Sequence, residues 1–282
     1  MNLWLLAGLS VMLNTMSKLI ERAVAKEVNP LAFSWLNQVI ASLVLIPFAF
    51  AVWKTPSSNS SWLIILFGGI FWLILSLCQY TSIKKTEVSL KEPLSQSRLI
   101  WALIFGVVFL GEVVSISRTI GTLLVVCGGM VLVFHPERKW GRLKDSGVRW
   151  TLGTAVVSAT VALVDKFALG YFPSEMYAFL AFFVPAILLS CVVHRKKEAV
   201  EHLLKKHCVR AISSIILSAL SYLLFVQVLS RIDLTQLYPF MQLTTVLTVI
   251  GGMVILGERD HVKQRLIGTI FIIAGVIVVK VF

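Results

Sequence analysis

Two glutamines, Gln96 and Gln242, each stand three residues after a proline, Pro93 and Pro239, and the two pairs are 146 residues apart. A primary amide both donates and accepts hydrogen bonds, so a matched pair suits a small polar ligand; it equally suits hydrogen bonding between two helices. Helical spacing puts Ser89, Glu92 and Gln96 on one stripe and Tyr238, Gln242 and Thr245 on another. Gln79 and Gln227 recur at an offset of 148, as do Lys18 and Lys166, whose ammonium groups either reach an interface or hold a carboxylate or phosphate. Arg98 has no counterpart, because Thr244 occupies its place. It is read as a substrate cation or as the partner of Glu92, although a spacing of six sets those two on different helix faces. Glu92 and Asp165 are the carboxylates placed to carry a coupling proton. Asn14, Trp72, Tyr80 and Tyr238 complete the expected substrate-binding set. Pro93 and Pro239 are the expected gates, since each removes a backbone donor and frees a carbonyl in the preceding turn.

Such residues need elements to hold them, and composition says which. The chain of 282 residues is 57% hydrophobic and 14% charged, with a mean hydropathy of +0.87, more apolar surface than one soluble core of this size can hide. Lipid is the remaining solvent. Stretches of about 20 apolar residues fall at 3 to 25, 31 to 52, 62 to 83, 88 to 110, 116 to 134, 150 to 170, 175 to 193, 209 to 230, 234 to 256 and 264 to 282. That gives an all-α polytopic protein with ten spans. The run Leu110-Gly111-Glu112 returns as Leu256-Gly257-Glu258, and Ile120-Gly121-Thr122 as Ile267-Gly268-Thr269. The chain therefore divides into a first five-helix repeat over 1–136, a basic connection over 137–149, and a second repeat over 150–282. With an odd number of spans, the second repeat enters the bilayer inverted.

Basic residues fall mainly in alternate connections, 19 on one side against four (Lys54, Arg118, Arg231 and Lys280) on the other. Basic loops resist translocation, so the rich side is expected in the cytoplasm of a bacterial inner membrane and both termini outside it. The N-terminal stretch lacks a basic leader and a cleavage site and reads as the first span. Glu112 and Glu258, each after a glycine at a span's end, are expected to cap the next helix or bind a nearby cation, with proton coupling as the alternative. Gly128-Gly129 and Gly251-Gly252 allow close helix approach. No nucleophile, base or metal cluster converges, the histidines His135, His194, His202, His207 and His261 all fall in expected loops, and no phosphate-cradling motif occurs. No enzyme, metal or cofactor is expected. The net charge of +12 belongs to loops without nucleic-acid motifs. The partners expected are a small-molecule substrate, the lipid bilayer and, as a candidate, a second copy in a homodimer.

The element running from Pro93 to Leu110-Gly111-Glu112 and on through Ile120-Gly121-Thr122 to Gly128-Gly129, repeated from Pro239 to Leu256-Gly257-Glu258-Arg259 and through Ile267-Gly268-Thr269 to Ala274-Gly275, resembles the drug/metabolite transporter superfamily. In particular it resembles the ten-span EamA branch, over essentially the whole chain. Lys18 looks like the basic residue common in the first span there. The resemblance implies two inverted five-helix repeats, a central cavity lined mainly by spans 1, 3, 4, 6, 8 and 9, and export or exchange of a small metabolite such as an amino acid by alternating access. It leaves the solute open: an organic anion or phosphate ester is the alternative within transport, and a scaffold or lipid-handling protein the alternative outside it. Arg98 departs from the pattern, and many relatives place their termini in the cytoplasm.

Overall fold

A computed structural model describes residues 2–25, 29–56, 59–85, 94–133, 146–193, 197–255 and 262–281. Among them there is no strand. The helices are α1 (Leu3–Ala25), α2 (Pro30–Ala51), α3 (Ser61–Lys85), α4 (Arg98–Leu110), α5 (Ile116–Val133), α6 (Ser146–Ala168), α7 (Ser174–Val193), α8 (Lys197–Leu229), α9 (Leu234–Met241), α10 (Leu243–Ile255) and α11 (Val262–Val281). Seven described segments are long and apolar enough to cross a membrane, α9 and α10 counting together as Leu234–Val254, and Arg98–Leu110 and Ile116–Val131 are shorter apolar helices.

Local chemistry sets several ends. Asn29 accepts from the Leu31 and Ala32 amides while Pro30 opens α2, so the Asn-Pro pair starts a helix rather than only ending one. Gly111, at φ +65°, closes α4, and the Glu112 amide turns back to the Gly106 carbonyl at 3.1 Å.

Three expectations need correcting. The span expected to begin near 209 starts at Lys197: an amphipathic segment of about three turns joins it through a kink at His207, where φ is −131°. His202 and His207 consequently lie in a helix, not a loop, and His207 is buried. The span over 234 to 256 is also not continuous. Pro239 cannot donate, the Gln242 amide instead bonds the Pro239 carbonyl at 3.1 Å, and the helix stops at Met241 and restarts at Leu243.

The chain forms two compact units, and each draws on both sequence halves. One comprises 1–76 and 164–231: α1 packs on α8, and α2 packs on α7 and α8. Serines permit the close approach of α1 and α8. Ser10 and Ser221 each donate to the other's carbonyl at 2.8 Å, and Ser17 donates to the Ser214 carbonyl at 2.8 Å. The other unit comprises 77–163 and 232–282, with α5 against α11 as its main seam. There a Cβ on Gly128 would lie 2.8 Å from the Gly268 carbonyl oxygen, and one on Gly121 2.8 Å from that of Gly275. The earlier glycine of one helix meets the later glycine of the other, so the two helices run antiparallel.

Candidate functional site

In the second unit, Gln96 and Gln242 bond each other: the Gln242 Nε2 donates to Gln96 Oε1. Both are buried, at 3% and 1% exposure. Both also occupy interruptions in the helical ladder. Ser97, Leu99 and Ile100 donate to Leu94, Gln96 and Ser97, three residues back, and Thr245 does the same to Gln242. These tight turns free the amides to reach across instead of following a regular helix. Gly129 makes the space, since a Cβ there would stand 3.0 Å from Gln96 Cδ. Arg98, the first residue of α4, donates from Nη2 to Gln242 Oε1 at 3.3 Å. A guanidinium only donates, which fixes the amide orientation: Gln242 turns its oxygen to Arg98 and its nitrogen to Gln96. The Arg98 Nε and the Thr244 hydroxyl are buried without a hydrogen-bond partner among the described residues. Leu99, Val125, Val126, Val246, Val249, Ile272 and Val276 form an apolar cluster in the same unit, with Tyr238 packed on it.

Close by in the chain, Glu112 caps a helix, but not the next one. Its carboxylate accepts from the Leu234 and Thr235 amides at 2.7 and 2.9 Å, at the start of α9. Asp233, the residue in the usual capping position, instead pairs with Arg118 at 2.9 Å. Arg118 also donates to the Val113 carbonyl at 3.2 Å. Gly106 is required beside them, because a Cβ would fall 2.9 Å from Glu112 Oε2 and 2.4 Å from Thr235 Cγ2.

The first unit has its own polar cluster. The carboxylate of Asp165, 3% exposed, accepts from the Tyr177 hydroxyl, and Tyr222 interacts with both. Trp72 meets Tyr222 edge-on at 6.4 Å between ring centroids and lies 6.4 Å from Phe182; its indole Nε1 is buried with no partner among the described residues. Lys166 donates to the Leu229 carbonyl at 2.7 Å and Gln227 to Glu175 at 2.7 Å. Asn14 and Lys18 are half-buried on α1.

The expected residues therefore divide between two clusters. Gln96, Gln242 and Arg98 come together, with Tyr238 and Pro239 on the same helix pair; Asp165, Trp72, Lys166 and Gln227 belong to the other unit. Gln79 is exposed on α3, and the Tyr80 side chain, Pro93 and Glu92 lie outside the described residues. Tyr177 and Glu175 went unread in the sequence. Their signal was the short connection 169–173: Asp165 and Tyr177 each stand six residues from Tyr171, so a helical hairpin folded there brings them face to face.

A helical, multi-pass chain with buried polar side chains at helix breaks is an integral membrane protein of the transporter class. The EamA-like transporter family model matches residues 2–134 and again 145–281, and the chain belongs to that family, a membrane transporter of the drug/metabolite superfamily. A protein of Lactobacillus johnsonii (strain CNCM I-12250 / La1 / NCC 533) described as a putative sugar uptake protein is 26% identical over 257 residues, covering 86% of this chain and 85% of its own. A crystal structure at 16% identity shares the fold with a TM-score of 0.76, over 98% of this chain and 96% of that one.

Proposed function

We propose that the protein is a secondary transporter that exports or exchanges a small polar metabolite, such as an amino acid, by alternating access around the glutamine pair. The observation that carries this reading is the meeting of Gln96 and Gln242 at two helix breaks. Broken helices inside a bilayer expose backbone groups that intact helices hide, and they are tolerated where something polar is to be bound. The two amides satisfy each other in the absence of solute, and a polar solute can exchange with that bond at little net cost. Pro239, three residues before the break at Gln242, serves as a gate, and Tyr238 beside it lines the site. Recurrence of the glutamines, and of the glycines along the seam of α5 and α11, supports two inverted repeats over 1–136 and 150–282.

The test is counterflow in proteoliposomes with a panel of labelled amino acids and sugars. Replacing one glutamine alone would leave a buried amide unpaired, so both are changed to leucine. The double variant should remain monodisperse and lose roughly ten-fold or more of its flux, the worth of a lost hydrogen bond to solute. Unchanged flux retires this site.

The name of the Lactobacillus relative supports a second reading, uptake of a neutral sugar. The Trp72 indole N–H, without a partner among the described residues and beside the rings of Tyr222 and Phe182, fits it, offering a hydroxyl a donor and a sugar's apolar face a ring. Flux confined to sugars in the same panel, lost in Trp72→Phe and kept in the glutamine double variant, would favour it.

A further inference from the structure

Arg98 is the one charge in the glutamine cluster, and nothing among the described residues neutralises it. Its hydrogen bond goes to a neutral amide, its Nε has no partner, and no described carboxylate pairs with it. Snorkelling to an interface does not explain the position. Arg98 stands about 18 Å along α4 from Leu110, beyond the middle of a hydrocarbon core about 30 Å thick. Its counterpart at an offset of 146, Thr244, is the eleventh of the 21 residues in the span Leu234–Val254. Nor does the head group turn outward, since Nη2 reaches inward to Gln242.

A guanidinium in that setting costs several kcal/mol unless an anion or a hydrated cavity offsets it. Two further features favour the anion. Helices α4 and α10 both begin at the cluster, at Arg98 and Leu243, so the positive ends of both are directed there. Thr244, 2% exposed, keeps a hydroxyl without a partner on the first turn of α10.

Resting on the transport reading above, we infer that the metabolite carries an anionic group, a carboxylate or a phosphate, that docks on Arg98, with the Thr244 hydroxyl and the Gln242 amide as neutral partners. Beyond its bond to Gln242, the Arg98 guanidinium has further N–H groups that can donate two parallel hydrogen bonds to the oxygens of such a group, whose negative charge a neutral sugar does not carry.

The test compares thermal unfolding of the purified full chain with sodium gluconate, glucose 6-phosphate and glucose, at ionic strength matched with sodium chloride. The three probes share a carbon skeleton and differ in charge and its chemistry. Gluconate or glucose 6-phosphate should raise the melting temperature while glucose does not, and whichever acts names the carboxylate or the phosphate. In Arg98→Gln that anion's affinity should fall about ten- to a hundred-fold. Arg98→Lys, which keeps the charge and loses the fork, should fall between; it serves alone if the glutamine variant does not fold. A lower melting temperature in Arg98→Gln with the anion-dependent rise intact would make Arg98 structural and overturn the inference. So would stabilisation by glucose alone, or by none of the three. Each of those leaves the transport reading to the counterflow panel, where absence of flux for every solute would sink the reading itself.

Discussion

At the scale of single residues, the buried polar groups sort by whether the protein itself satisfies them. Asp165 is satisfied by Tyr177, Gln227 by Glu175, and Lys166 by the Leu229 carbonyl. Tyr177→Phe removes one donor from a buried carboxylate and should lower stability by about 1–3 kcal/mol, read by thermal unfolding. Asp165 is also the carboxylate we propose to exchange a proton during transport. With Asp165→Asn, flux driven by an imposed pH gradient should vanish while solute counterflow persists; equal loss of both, or of neither, would remove it from coupling.

At the scale of elements, the seam between α5 and α11 rests on backbone touching backbone. A Cβ on Gly275 would lie 2.6 Å from the Gly121 carbonyl oxygen, and neither helix can yield without moving its own ladder. Gly275→Ala should therefore destabilise the protein by about 1–3 kcal/mol. Gly8→Ala, with nothing within 4 Å of its Cβ, should be neutral or stabilise by up to about 1 kcal/mol. Thermal unfolding of the two variants side by side checks the contrast, and a harmless Gly275→Ala would show that the helices separate freely. The same scale explains Glu112: its amide closes α4 while its carboxylate opens α9, so one residue sets two helix ends.

For the whole molecule, the charge of the connections bears on which way it faces. Of the four basic residues on the poorly charged side, Arg118 is tied to Asp233 and Val113, which leaves the contrast with the basic side sharper than the sequence count. On the basic side, Lys205, Lys206 and Arg210 stand exposed around the His207 kink, and we propose that they meet the anionic surface of a cytoplasmic leaflet. A reporter enzyme active only in the cytoplasm, fused after Phe282, should be silent; activity would reverse the orientation.

The sequence by itself determined the solvent, the helices and the recurrence. Those follow from local quantities: apolar length, proline and glycine positions, and the identity of residues 146 to 148 apart. It also marked Gln96, Gln242 and Arg98 as costly in lipid, because the penalty for a buried polar group depends on its type and depth alone. Which partner relieves each penalty is a matter of distance across helices, and only the tertiary structure decided it. Gln96 found Gln242, Glu112 found the start of α9 rather than of the next helix, Asp165 found Tyr177 around a hairpin, and Arg98 was left with a neutral amide. The break at Gln242 was half legible, since Pro239 announced a lost hydrogen bond, but whether a helix bends or restarts there depends on what its neighbours supply.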